Sequence, residues 1–265
     1  HSLPSSMREG YSFIGWTVVS TDDAKWEAGK AYSAGYKFTG MHGNVSLKAK
    51  WETLTSTVTL NLGAGESIVG NTVLTYAYSS SLALNTPVKK GYTFKGWRVT
   101  AAPGSGNTWI IGEEYLLTAG ETGVTLPGGK LGDVTLTPVW EANTYTVTFN
   151  SDGGTVYQPI SYTVEKTVTL PKPVKNGYTF AGWSVILHDE EYNWTASGYS
   201  GNQSLSGMYG SVTLKANWTK TGYTVTFNAN GGTVSVPSLP YDIESGTANL
   251  PTPVKNGYSF NGWTV

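Results

Sequence analysis

The sequence predicts an all-β or β-rich α+β protein made of tandem copies of one small module, and three observations predict it. Aromatic residues make up 13% of the chain, with 10 Trp and 17 Tyr, beside 33 Gly and abundant Thr and Ser, a composition that suits half-buried strands joined by turns. One phrase recurs four times: Gly10 to Trp16, Gly91 to Trp97, Gly177 to Trp183 and Gly257 to Trp263, each reading Gly-Tyr-x-Phe-x-Gly-Trp. Around it lie segments in which apolar and polar residues alternate with a period of two.

The recurring phrases are spaced 81, 86 and 80 residues apart, and each follows a Pro-containing turn: Leu3-Pro4, Pro87, Pro171 with Pro173, and Pro251 with Pro253. A second phrase closes each unit, at Val45 to Trp51, Val134 to Trp140 and Val212 to Trp218. A third opens each unit, at Thr57 to Leu62, Tyr145 to Asn150 and Tyr223 to Asn228. The order divides the chain into the back part of a first repeat (1–53), a second repeat (54–141), a third (142–219) and the front part of a fourth (220–265). A half-module of this size buries too little surface to stand alone. Either the folding unit is permuted, residues 1–53 then borrowing a strand from 54–62, or the parts at 1–53 and 220–265 are cut from whole modules.

Taking the elements in order, the opening segment places Tyr145, Val147 and Phe149 on one face and Thr144, Thr146 and Thr148 on the other, the mark of a strand with one buried side. Asp152-Gly153-Gly154 and Asn230-Gly231-Gly232 then supply residues that tolerate positive φ, as a tight hairpin demands. The Pro-rich, β-branched turn that follows allows at most a short piece of helix. In the Gly-Trp phrase, Tyr178 and Phe180 fall on one parity and Trp183 and Val185 on the other. A bulge at Gly182 would bring all four to one core; without it Trp183 packs on the far face. The closing segment again alternates, Val212, Leu214, Ala216 and Trp218 inward, and it is expected to lie centrally beside the opening strand.

These linked motifs, Gly-Tyr-x-Phe-x-Gly-Trp after a Pro turn, Val-Thr-Phe-Asn-x-x-Gly-Gly-Thr, and a closing Leu-x-Ala-x-Trp, resemble the internalin B-repeat family, also called the Listeria-Bacteroides repeat. The resemblance covers essentially the whole chain and implies β-grasp-like modules, arrayed on bacterial surface proteins as spacers and in some cases as receptor-binding parts. Two departures stand out: the second repeat replaces Asn-x-x-Gly-Gly by Asn61-Leu62-Gly63-Ala64-Gly65, and the middle segments are long and rich in Tyr and Gly.

The formal net charge of -1, with 17 Lys and Arg against 18 Asp and Glu, argues against a nucleic-acid face. There is no cysteine, so neither a disulfide framework nor a thiolate metal site is available. No apolar run is long enough for a membrane helix, and no leader or anchor signal is visible in these residues. No catalytic or phosphate-binding motif is found, and no cofactor or metal is expected. His188-Asp189-Glu190-Glu191 reads as a solvated loop, Asp22-Asp23 and Glu113-Glu114 as a comparable acidic habit, and Lys48 and Lys215 face outward, away from any buried cross-link. All ten tryptophans sit on repeat positions, which favours core. The middle set leaves an alternative open: Trp26 with Tyr32, Trp109 with Tyr115 and Trp194 with Tyr199 could stack on a sugar. The expected role is an extended, non-catalytic stalk of a cell-surface or secreted bacterial protein, its partners the other domains of that protein. The alternative is an adhesin that meets a glycan or a host surface protein through the middle segments.

Overall fold

A computed structural model describes all 265 residues. The chain is all-β with no helix, so the Pro-rich crossovers contain not even a short helical turn, and no helix could cross a membrane. It divides into two compact units, His1–Glu141 and Ala142–Val265, each described by itself.

In the second unit, residues 142–219 form one five-stranded sheet. In spatial order it runs Ser197–Tyr199, Tyr178–His188, Val212–Lys220, Thr144–Asn150 and Ile160–Thr163. We call these the edge, long, closing, opening and return strands. The opening and closing strands are central and parallel, with Val147 opposite Val212 and Phe149 opposite Leu214. All other pairings are antiparallel. The alternation explains the burial: Val147, Val212, Leu214 and Ala216 point into the core and are almost wholly buried, while the intervening Thr and Lys residues face out. Val168–Thr169 pairs with Ser204–Leu205 as a small second layer, and Leu170 closes the core beneath it.

The bulge in the long strand is present. Phe180 lies opposite Trp218 but Gly182 lies opposite Asn217, so Ala181 is the extra residue and Trp183 joins Tyr178 and Phe180 on the inner face. Gly182 has φ 124°, and a Cβ there would come within 2.9 Å of the Tyr199 carbonyl oxygen, so a side chain is disfavoured by conformation and by the close edge strand. A second register shift, between Val185 and Leu187, leaves Ile186 exposed.

The Asp-Gly-Gly turn differs from the expected tight hairpin. Asp152 and Gly153 do adopt positive φ, 47° and 84°, and Gly154 N–H donates to the Ser151 carbonyl. The chain then runs to the Pro turn, where Thr155 N–H donates to Val174 O, before it returns to pair with the opening strand from Ile160. The turn therefore pins the crossover as well as reversing the chain.

In the first unit, residues 54–141 repeat the same plan. Glu114–Leu116, Tyr92–Ala101, Val134–Ala142, Thr55–Leu60 and Val73–Ala77 lie in that order, with Val58 parallel to Val134 and Leu82–Ala83 pairing Thr125–Leu126 beside the sheet. Residues 1–53 supply only the edge, long and closing strands (Ala31–Tyr32, Tyr11–Thr21 and Val45–Thr53), which form a sheet around Leu3, Val18, Trp26 and Tyr32. The bulge recurs between Phe13 and Gly15. Residues 220–265 supply only the opening and return strands, Tyr223–Thr226 and Ser238–Tyr241.

Within each unit the adjacent repeats meet at the same point. Leu54 N–H donates to Gly10 O at 2.9 Å, and Thr221 N–H donates to Gly177 O at 2.9 Å. Each glycine has φ 77° and lies under a side chain of the next repeat: a Cβ would come within 2.0 Å of Tyr78 at Gly10, and within 2.6 Å of Ile243 at Gly177.

Candidate functional site

The middle tryptophans and their tyrosines are brought together in pairs, as their spacing suggests, but inside the modules. Trp26, Trp109 and Trp194 are 4%, 5% and 3% exposed. Each meets its tyrosine edge to face: Trp26 with Tyr32 at 5.1 Å, Trp109 with Tyr115 at 6.0 Å, Trp194 with Tyr199 at 5.3 Å between ring centroids. Tyr32 and Tyr199 are also buried and Tyr115 is half-buried. The geometry favours packing, because edge-on rings of this kind leave no open face for a sugar. A ligand that stacked on them would first have to lift the middle segment from the sheet.

Their polar atoms are tied into the same packing. Trp194 Nε1–H donates to the Tyr162 hydroxyl at 2.9 Å, which donates in turn to Gly210 O at 2.5 Å. Burial pushes that hydroxyl up to about 12. Trp109 Nε1–H donates to Gly132 O at 3.0 Å, while the neighbouring Tyr76 hydroxyl donates to Pro127 O at 2.8 Å and accepts from Lys130 N–H at 3.0 Å. Lys130 Nζ lies 3.1 Å from the Glu113 carboxylate and 5.5 Å from the centre of the Trp109 ring. Burial would raise Glu113, but the Lys130 ammonium and the Tyr115 hydroxyl hold it below its ordinary value. Burial and the Glu113 carboxylate push the Tyr115 hydroxyl well above its own.

The acidic loops hold backbone. Asp22 accepts from Asn44 N–H and Asp189 accepts from Ser211 N–H, each bond stapling the end of the long strand to the residue before the closing strand. Asp23 accepts from Lys25 N–H and His42 N–H, and these bonds lower its carboxyl. The sequence comparison of Asp22-Asp23 with Glu113-Glu114 is thus corrected: the counterpart of Asp22 is Asp189, whereas Glu113 precedes the edge strand and Glu114 begins it, paired with Arg98. His188 stacks on Tyr192 at 3.8 Å. Lys215, 42% exposed, lies 3.8 Å from Asp152.

A contact absent from the sequence reading recurs in every repeat. A cation three residues before the tyrosine of the Gly-Tyr phrase covers that ring: Arg8 over Tyr11 at 3.9 Å, Lys89 over Tyr92 at 4.4 Å, Lys175 over Tyr178 at 4.4 Å, Lys255 over Tyr258 at 4.5 Å. Lys175 and Lys255 also donate to the turn carbonyls of Asp152 and Asn230, both at 2.9 Å. The second repeat lacks that turn, and Glu66 replaces it. Its carboxylate accepts from Gly63 N–H at 2.7 Å and from Trp140 Nε1–H at 2.8 Å, and lies 3.3 Å from Lys89 Nζ. The spacing of the basic residue was the signal in the sequence; nothing local to Glu66 announced its role.

Comparison with known proteins agrees with the repeat architecture. The Listeria-Bacteroides repeat domain matches residues 57–122, 145–217 and 223–265. The chain is 30% identical over 262 residues to a protein of Evansella cellulosilytica named as a Gly-rich membrane protein, and 28% identical over 265 residues to another named as a membrane protein. Each alignment covers 97% of this chain but only 27% and 34% of those relatives. Internalin H of Listeria monocytogenes is 30% identical over 136 residues, 51% of this chain and 20% of its own length. The chain thus spans about a third or less of the relatives it matches. No solved structure matches the chain significantly. The chain belongs to the Listeria-Bacteroides repeat domain family.

Proposed function

We propose that this member of the Listeria-Bacteroides repeat family is a non-catalytic spacer in a bacterial cell-surface or secreted protein, where it carries a distal domain away from the envelope. The observation that carries the reading is the placement of the tryptophans: in the complete repeats every indole either packs in a module core or closes its rim. Adjacent repeats within each unit are joined by a packed glycine contact and a backbone hydrogen bond, which limits bending at those joints. The parallel central pair, with a return strand on one side and the long strand on the other, supports a β-grasp-like module that lacks the usual helix. An extracellular location draws support from the names of the Evansella and Listeria relatives. The partners on this reading are the other domains of the same protein.

Small-angle scattering on chains of increasing repeat number tests the proposal. A spacer gives a maximum dimension that grows in proportion to the number of repeats; a compact particle of constant shape overturns it. A glycan array with reproducible binding, lost on substitution of Trp26, Trp109 or Trp194, would favour the adhesin alternative.

A further inference from the structure

Just before the closing strand begins, each repeat brings a short segment against its middle tryptophan, and the residue preceding that tryptophan fastens it. In the third repeat the Asn193 side chain donates to Gly207 O and accepts from Tyr209 N–H, both at 2.9 Å, so its amide grips the chain on either side of Met208. In the second, Thr108 Oγ1 accepts from Leu131 N–H at 2.7 Å, and in the first Lys25 Nζ donates to Gly40 O. Counted back from Val45, Val134 and Val212, the same four-residue step leads to Met41, Lys130 and Met208. At that position Lys130 holds its ammonium 5.5 Å from the centre of the Trp109 ring. Met208 instead lies in the buried cluster of Trp194 and Tyr199 and is 9% exposed, and Met41 packs against the cluster of Trp26 and Tyr32. The chain has no cysteine and three methionines, so its sulfur is confined to these two and Met7, which is 96% exposed.

We propose that Met208 is an oxidation-sensitive latch: conversion of its thioether to the sulfoxide by a peroxide releases residues 206–210 and uncovers Trp194. The sulfur lone pair attacks one oxygen of hydrogen peroxide, an S–O bond forms as the O–O bond breaks, and the other oxygen takes up the displaced proton and leaves as water. Sulfur is oxidised, the peroxide is reduced, and no further reactant is needed. The product places a polar oxygen in an apolar cluster, where an acceptor without a donor is costly. The cheapest relief is outward. Asn193, Ser206 and Gly207 are exposed, and the space beside Gly207 is open, so a small oxidant can approach and the segment can turn to hydrate the sulfoxide without moving the central strands. The Asn193 clamp is then lost, and the Trp194–Tyr199 pair becomes a surface that the resting module hides. The second repeat has no sulfur at this position and keeps its tryptophan covered.

Hydrogen exchange read by peptide mass spectrometry on the 265-residue chain, before and after mild hydrogen peroxide, tests this. Met7 is expected to oxidise first, with no change in exchange. Oxidation of Met208 is expected to speed exchange across residues 193–210 by about tenfold or more, the effect of one buried acceptor left unsatisfied. Residues 108–131 keep their rate, and methionine sulfoxide reductases restore the slow exchange of 193–210. Met208→Leu conserves volume and is expected to remove the response. If that variant is already loose before treatment, Lys130→Met decides: residues 108–131 must then respond to peroxide, and unaltered exchange there overturns the inference. So does full conversion of Met208 with unchanged exchange, a response that persists in Met208→Leu, or a Met208 that resists peroxide until the whole chain unfolds.

Discussion

The indole N–H of Trp183 donates to the carbonyl oxygen of Pro171, twelve residues earlier, at 2.9 Å. The same bond joins Trp16 to Pro4 at 2.7 Å and Trp263 to Pro251 at 3.0 Å. It ties the Pro turn to the tryptophan that follows the bulge, so these three repeats carry a link between crossover and core. The second repeat has Asn85 where the others have proline, and there the buried Trp97 Nε1 has no hydrogen-bond partner.

That difference predicts unequal costs for one substitution. Trp183→Phe removes packing volume and a hydrogen bond; Trp97→Phe removes the volume and relieves a buried donor. Trp183→Phe is expected to destabilise its repeat by about 1 kcal/mol more than Trp97→Phe does. Hydrogen exchange of the central strands in each repeat measures both; equal losses would contradict the assignment.

The repeat joint predicts a contrast between identical phrases. Gly177 and Gly257 share almost the same φ, 77° and 80°, but a Cβ at Gly177 meets Ile243 at 2.6 Å whereas one at Gly257 meets nothing within 4 Å. Gly257→Ala is expected to cost about 1 kcal/mol for the backbone alone. Gly177→Ala adds a clash and is expected to loosen residues 220–245 from the third repeat, seen as faster proteolysis between Lys220 and Tyr223.

The same joint is predicted to depend on pH. Lys220 Nζ lies 3.2 Å from Asp242 and 3.3 Å from Glu244, and the Tyr178 hydroxyl donates to Glu244 at 2.7 Å. The Glu244 N–H and then Lys220 lower the Asp242 carboxyl; the Tyr178 hydroxyl and then Lys220 lower that of Glu244. A lowered carboxylate stabilises the folded form above its unfolded value, and the contribution fades as the pH falls through the folded one. The joint should therefore be full at neutral pH and loosen below the ordinary carboxylate values of 3.8 and 4.5. Lys220 and Tyr178 are both raised, so their share is present below their ordinary values and lost as the pH rises through the raised ones. Chemical shifts of the Ile243 methyls across a pH series report both limbs; since Lys220 and Glu244 are exposed and Tyr178 and Asp242 only half-buried, added salt should shrink the effect.

Glu66 offers a fourth test. Its side chain is 6% exposed and serves two N–H donors and Lys89. Glu66→Ala is expected to destabilise the second repeat by about 2 kcal/mol or more, leaving Trp140 Nε1–H and Gly63 N–H without their acceptor. Glu66→Gln keeps one oxygen, which can accept from Gly63 N–H or from Trp140 Nε1–H but not from both, and should cost less than Glu66→Ala. Urea unfolding of the two variants gives the comparison, and a neutral Glu66→Ala would refute the role.

Much of the module was legible because its signals are local. The alternation at Val147 and Phe149, the parity conflict that required an extra residue near Gly182, and the even spacing of the tryptophans all act within one strand. What escaped depends on distant partners. Glu66 acquires its role from Trp140 on the closing strand, Gly10 from Tyr78 of the next repeat, and Asp189 from Ser211 across a loop. The exposed bulge at Ile186 left no mark either, since an apolar residue there reads as another inward position. The middle tryptophans were placed on the right segments, but Trp109 and Trp194 also pack against Tyr76 and Tyr162 on the return strands, which the segments themselves do not contain.

The parallel pairing of the opening and closing strands has a mechanical consequence. The chain enters each complete repeat through one of these strands and leaves through the other, so a pull on its two ends slides the pair lengthwise. The hydrogen bonds from Val147 to Asn150 against Val212 to Lys215 then bear the load together instead of unzipping one after another. A repeat of this kind resists force in proportion to that whole patch, and the first event under tension is its shearing, with the core around Trp183 exposed only afterwards.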